Sequence, residues 1–245
     1  MVIGKVPRKI TYSKDLGEKR VLFYLYTYFA VSRSRELIII TNEAVKSIGY
    51  RPNTHKGKIN DEFTSFMSWL VDQGYIKVVR KQKGYVKYRA LSKMDEAPFG
   101  IIRLDEYQKI LGSTGSKAAA LLLLAYIRQN TYKRTDKTDD RPEVCFCHLS
   151  ELHNKLGLSP RTTSAAMNTL SSVGLIHSDE IRRYRDKYGN WHSGVYLFID
   201  KVKYNNEEPD QSYNWRKEFE LASKWLMHRQ AKYNDQYSDH IDNAR

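Results

Sequence analysis

The sequence predicts an α+β chain, mainly helical, in which one run of elements is written twice and followed by a C-terminal helix. Three observations predict this. Met67, Leu70, Gly74 and Ile76 return as Met167, Leu170, Gly174 and Ile176, each displaced by the same interval, with Leu175 answering Tyr75. Each half places a strongly apolar helical stretch well upstream of that block, at residues 21–30 and 118–127. A chain of 245 residues also has room for two compact units of roughly 100 residues each.

In the first half, residues 19–32 are apolar all round and read as a buried helix, and Leu37-Ile-Ile-Ile40 reads as a short β-branched strand. Thr41 and Asn42 offer N-caps for a short helix at 43–48, since their side-chain oxygens can accept from the free N–H groups of a first turn. After a loop at 49–58, Phe63, Phe66, Met67 and Leu70 recur at three- and four-residue steps, which turns one face of a helix at 61–73 inward. Gly74 stops it. Residues 75–80 and 85–91 then read as strands joined by the basic turn Lys81-Gln-Lys-Gly84.

The second half repeats the order. Residues 144–148 supply the strand, Ser150 is a cap for a helix at 151–155, and Gly157-Leu-Ser-Pro160 makes a tight turn. Ser159 as N-cap with Pro160 at the first helical position opens a helix at 161–173. Strands at 175–179 and 195–200 flank a basic wing at 182–193. The charged, proline-bearing stretch 93–98 has no periodicity, so the sequence divides into a first domain at 1–92, a linker at 93–98 and a second domain at 99–204. In the tail, 205–245, a polar linker precedes Trp215, Phe219, Leu221, Ala222, Trp225 and Leu226, whose spacing gives an amphipathic helix in need of a surface to cover.

Charge narrows the choice of partner. The chain holds 41 Lys and Arg against 28 Asp and Glu, a formal net charge of +13, and such an excess favours a polyanion. The surplus lies in the two body segments and is absent from the tail. The longest apolar run is half of what a membrane span needs, and no apolar stretch follows the basic N-terminus as in a signal peptide, so a cytoplasmic protein with no membrane contact is expected.

Enzymatic and metal chemistry find little support. Cys145 and Cys147, with His148 and His153 nearby, have a zinc site's residue types but not its usual spacing, and the two cysteines share a strand face that the core needs. No phosphate-binding glycine loop, nucleophile elbow or zinc-protease motif is present. The 18 tyrosines invite a tyrosine nucleophile, yet most alternate with apolar neighbours as in Phe23-Tyr-Leu-Tyr26 and are better explained as packing. No cofactor, no metal and no catalytic residue are expected.

Helix, strand, helix, turn, helix, strand, wing, strand is the order of a winged-helix domain, and it occurs twice. Leu149-Ser-Glu-Leu-His-Asn-Lys-Leu-Gly-Leu-Ser-Pro-Arg-Thr-Thr-Ser164, followed by Leu170-Ser-Ser-Val-Gly-Leu-Ile176, resembles the helix-turn-helix of such proteins. With Phe99-Gly-Ile-Ile102, Ala125-Tyr-Ile-Arg-Gln-Asn130 and Asp186-Lys-Tyr-Gly-Asn-Trp191 around it, the second half looks like the winged-helix proteins of Gram-positive phages and plasmids, mostly replication initiators and replisome organisers. The resemblance implies tandem winged-helix domains and sequence-specific binding of double-stranded DNA, with host replication proteins as further partners. A transcriptional regulator and a protein-interaction scaffold are the alternatives, and homodimerisation is left open.

In helix-turn-helix docking the second helix enters the major groove. Arg161, Thr162, Ser164, Ala165 and Asn168 lie on the outward side of that helix and can read base edges, while Arg182, Arg183, Arg185 and Lys187 in the wing would follow the backbone. In the first half the corresponding helix opens on Asp61 and Glu62, which repel phosphates. The basic groups there sit instead in the inter-helix loop, as Arg51, His55, Lys56 and Lys58, and in the wing, as Lys81, Lys83 and Lys87.

Overall fold

Each half begins with a strand that hydrophobic periodicity does not announce. In the computed structural model, described for residues 2–31, 35–52, 58–95, 99–134, 138–185, 191–202 and 214–225, β1 (Ile3–Pro7) and β5 (Phe99–Arg103) pair antiparallel, Ile3 opposite Arg103 and Pro7 opposite Phe99. The second residue of each is glycine because each strand lies directly on the central helix of its own half. A Cβ on Gly4 would meet Leu25 Cδ2 at 2.7 Å, and one on Gly100 would meet the Ala125 carbonyl at 2.9 Å. Each half thus holds its own strand and lends it to the other's.

Those central helices are α2 (Arg20–Val31), preceded by α1 (Arg8–Tyr12) and a 3-10 turn at Lys14–Leu16, and α6 (Lys117–Asn130), preceded by α5 (Leu104–Gly112). Residues 118–127 are buried on every side, as their uniform apolarity requires. α2 and α6 pack on each other, so one hydrophobic core runs through both halves.

The remaining elements repeat with identical topology: β2 (Glu36–Ile39), α3 (Thr41–Ser47), α4 (Lys58–Asp72), β3 (Ile76–Gln82) and β4 (Tyr85–Ala90), then β6 (Cys145–His148), α7 (Leu149–Leu156), α8 (Pro160–Ser172), β7 (Ile176–Arg185) and β8 (Trp191–Asp200). The antiparallel sheets run β2-β4-β3 and β6-β8-β7. Among the described residues the chain is therefore mixed α and β, mainly helical, with small antiparallel sheets. The repeated block seen in the sequence is the end of α4 or α8 and its exit, where Gly74 (φ 72) and Gly174 (φ 76) take the left-handed conformation that reverses the chain into the hairpin.

Three local expectations are corrected. Thr41 is already helical and Ile40 is the N-cap, just as His148 precedes α7, and neither cap makes a side-chain hydrogen bond. Strand runs straight into helix at both places, which leaves no residue for the caps expected at Thr41, Asn42 and Ser150. The strands expected at 175–179 and 195–200 run further toward each other: the β7–β8 ladder continues to Arg185 opposite Trp191, as the β-favouring Ile181, Tyr184, Trp191 and Val195 allow. α4 starts at Lys58 rather than at Asp61. The Ser159 cap is made as expected, its Oγ accepting from the Thr162 N–H at 3.1 Å.

Two further contacts lock the halves together. Arg20 is fully buried, and its guanidinium donates to the carbonyls of Ile10, Thr11 and Gly17 and, across the interface, to that of Leu156 at the end of α7. Burial pulls its pKa down to about 10, so it remains a cation at neutral pH, held by carbonyl dipoles that include the negative end of α7. In the second half, Arg128 donates to Glu106 at 2.6 and 2.9 Å and to Asp200 at 2.8 and 3.1 Å, which ties α6 to α5 and to the end of β8. Burial pushes the Glu106 carboxyl up, but Arg128 and Arg103 outweigh it and leave the pKa lowered.

The tail helix α9, residues 215–225, covers the outer face of the β6-β8-β7 sheet. Trp215, Phe219 and Ala222 pack with Val144, Phe146, Leu197 and Ile199, Trp225 stacks on Phe146 with centroids 5.5 Å apart, and His177 meets Trp215 and Phe219 at 5.0 and 4.8 Å. Arg134 and the Glu143 N–H fix its Glu218 at 2.7 and 3.0 Å.

Candidate nucleic-acid interface

α8 and the turn before it form a surface whose composition is set by the alternation of α8. Thr163, Ala166, Thr169 and Leu170 face the core, which leaves Arg161, Ser164, Ala165 and Asn168 exposed and Thr162 half-buried on the opposite side. The helix sequence contains no acidic residue. Gly157 (φ 75) bends the chain between α7 and α8, and the Ser159 cap with Pro160 at the first position fixes where α8 begins. The positive end of the helix dipole and the Arg161 side chain therefore share this outward-facing start of α8. His153 leans back onto this turn, Nδ1 lying 3.2 Å from the Leu158 carbonyl.

β7 and β8 extend beside it. Arg182, Arg183 and Arg185 lie on β7 by their backbone, Arg183 opposite Ser193 and Arg185 opposite Trp191. Their side chains and the whole of Lys187 lie outside the described residues, as do His55 and Lys56 of the first half.

The first half presents different chemistry on the same framework. Counting by the repeat interval, Asp61, Thr64, Ser65 and Ser68 of α4 stand where α8 has Arg161, Ser164, Ala165 and Asn168. Asp61 and Glu62 line an open groove of about 650 Å³ between α4 and the 3-10 turn, together with Asp15, Glu18, Lys19, Lys58 and the rings of Phe66 and Trp69. Lys58, expected as a phosphate contact, thus stands among carboxylates, and Lys19 is paired with Glu62 at 2.8 Å. Lys87 lies within β4, half-buried and paired with Glu36 at 2.6 Å. Arg51, Lys81 and Lys83 are exposed. Both cysteines are free and buried on β6, and a hydrogen bond with Cys147 together with burial pushes the Cys145 thiol up. A protonated thiol is a poor nucleophile and a poor metal ligand.

Among the described residues no helix is long and apolar enough to cross a membrane, and no group of three or more His, Cys, Asp or Glu is arranged to hold a metal. Neither a scan against protein-family models nor a search of curated proteins finds a match for this chain.

Proposed function

We propose that the halves are tandem winged-helix domains and that the chain is a sequence-specific double-stranded DNA-binding protein, a replication initiator of a plasmid or phage-like element, acting in the cytoplasm without a catalytic step of its own. One observation carries the DNA reading: the exposed face of α8 combines Arg161 and Asn168 with small side chains and no carboxylate, at the positive end of a capped helix that follows a tight turn. Arg suits the acceptor edge of guanine and Asn the edge of adenine, and small residues let the helix approach the groove floor. The basic β7–β8 ribbon beside it supplies phosphate contacts.

Selection of bound fragments from random and native DNA by the purified chain tests this. A recovered motif that persists at raised salt supports the reading, and direct repeats beside an AT-rich segment mark an initiator where one inverted repeat over a promoter would mark a regulator. Arg161→Ala and Asn168→Ala should each cost about 1–3 kcal/mol on the cognate site and little on random DNA. Arg183→Ala should weaken both alike. Recovery of no motif at any salt would overturn the reading.

A further inference from the structure

The two sheets can be compared strand by strand. Placing Ile76 on Ile176 sets Lys77 on His177, and the strand registers then set Arg89 on Ile199, Lys87 on Leu197 and Ile38 on Phe146. In the second half those positions form the apolar outer face that α9 covers. In the first half no described element lies over them. Ile38, at the position of Phe146, is 59% exposed, and Ile40 just beyond it is 40% exposed. Around Ile38 the apolar partners of α9 are replaced by Lys77, Lys87 and Arg89, with Arg80 opposite Lys87 on the same face. Glu36, paired with Lys87 and Arg89, is the carboxylate among these four cations.

We propose that this outer face of the β2-β4-β3 sheet is the docking surface for an acidic amphipathic helix of a different protein. The second half shows what shape the face accepts, since an amphipathic helix of three turns lies across the same strands in the same register. The side chains state how the first-half occupant must differ. It needs a small apolar strip to cover Ile38 and carboxylates on either side to meet Lys77, Arg80, Lys87 and Arg89, the arrangement in which rim charges choose the partner and a central apolar residue excludes water. Helix α9 does not fit, because its exposed charges are mainly basic, Arg216, Lys217 and Lys224 against Glu220, and it is already seated on the other sheet. A second copy brings a net charge of +13 against a basic face. Nucleic acid would satisfy the cations but leave Ile38 and Ile40 in water, since phosphate offers no apolar surface to bury them.

The proposal is independent of the DNA reading, and the test keeps the two apart. The probe is a side-chain-stapled helical peptide with the sequence of residues 214–225 in which Arg216, Lys217 and Lys224 are replaced by Glu, labelled for fluorescence anisotropy and titrated with the full chain. Saturable binding that weakens with salt is expected, reduced about ten-fold or more by Ile38→Asp and by the pair Lys77→Glu and Arg89→Glu, with the unaltered tail sequence binding at least about ten-fold less well. Ile38 is mostly exposed, so Ile38→Asp should cost no more than about 1 kcal/mol of stability and leave the affinity for DNA at that of the parent chain. Equal binding of the two peptides, or no effect of Ile38→Asp, would overturn the proposal. So would displacement of the peptide by duplex DNA together with a loss of DNA affinity in Ile38→Asp, which would give the face to nucleic acid instead.

Discussion

Replacing Arg20 by Met keeps the length of the side chain and removes its donors. The guanidinium makes five donations, at 2.6 to 3.1 Å, to four carbonyls, with Thr11 accepting two of them. A buried carbonyl left without a partner costs about 1–3 kcal/mol, which puts the gross loss near 4–12 kcal/mol if all four stay dry. Against this, Met relieves the chain of burying a cation that has no carboxylate in contact, a gain of several kcal/mol. The expected net destabilisation is about 3–5 kcal/mol, a large share of the ~5–15 kcal/mol that holds a typical domain folded. Urea unfolding followed by tryptophan fluorescence reads it, with Trp69 in the first half and Trp215 against the second sheet as reporters. Because the halves share one core, one transition is expected of the parent, and because the Leu156 bond crosses between them, a broadened or split one is expected of the variant. Arg20→Lys should recover only part of the loss, since an ammonium has three donors and no planar fork. A change below about 1 kcal/mol, with the transition unaltered, would refute the view that Arg20 clasps the halves.

Three other perturbations follow from the packing. Gly115→Ala would place a Cβ 1.9 Å from Thr169 Oγ1, so the loop before α6 must lift from α8, and a cost of about 1–3 kcal/mol with weaker DNA binding is expected in thermal melts and anisotropy titrations. Glu106→Gln removes a fully buried carboxylate from between Arg128 and Arg103 and should cost about 3–5 kcal/mol; a melting temperature within a degree or two of the parent would contradict the ion-pair account. Tyr50, Tyr107 and Tyr126 all have pKa values raised by burial, Tyr50 to about 12. The folded chain therefore stays protonated where the unfolded chain ionises, so their contribution is intact below about pH 10 and diminishes as pH rises above it, through about 12 for Tyr50 and further for Tyr107 and Tyr126. Alkaline unfolding should begin in that window and coincide with a late rise in tyrosinate absorbance; early tyrosinate in a still-folded protein would argue against their burial.

Elements fixed by periodicity are legible in the sequence. α2, α6 and the Gly74 and Gly174 exits follow from runs of apolar side chains at helical spacing and from a left-handed turn that glycine tolerates best. The outward face of α8 is legible for the same reason, since fixing Thr163, Ala166 and Leu170 inside leaves Arg161 and Asn168 outside. β1 and β5 escape because five-residue strands with lysine or arginine among their residues look like chain ends. The signal that finds them is the match of Ile3-Gly-Lys-Val6 with Phe99-Gly-Ile-Ile102, where glycine reports a backbone lying on a helix. Arg20 escapes because an arginine at a helix start reads as solvated, and the four carbonyls that hold it come from three separate segments. The seat of the tail helix is likewise non-local: Trp215 and Phe219 announce an apolar face, but His177 and Phe146 as its partners depend on the register of the β6-β8-β7 sheet.

The two halves share a topology and differ in the chemistry of the faces it exposes. Thr169 and Trp69 occupy equivalent places on α8 and α4. In the second half the Gly115 backbone closes down on Thr169, so α8 offers one smooth face with no carboxylate. In the first half the bulk of Trp69 and Phe66 lines a groove under the 3-10 turn, and the α4 face bears Asp61 and Glu62 beside Asp15 and Glu18. Near phosphates such carboxylates cost energy that the neighbouring Lys19 and Lys58 offset only in part. The sheets diverge in the opposite sense, apolar and covered by α9 in the second half, basic around an exposed isoleucine in the first. One half thus directs its cations and small side chains from a helix face, where a nucleic-acid groove can receive them. The other directs its cations from the back of a sheet, where a helix of another protein can. Because β1 pairs with β5 and α2 packs on α6, the two surfaces are held on one core, and a partner on the first half would be carried at a fixed place beside any DNA bound by the second.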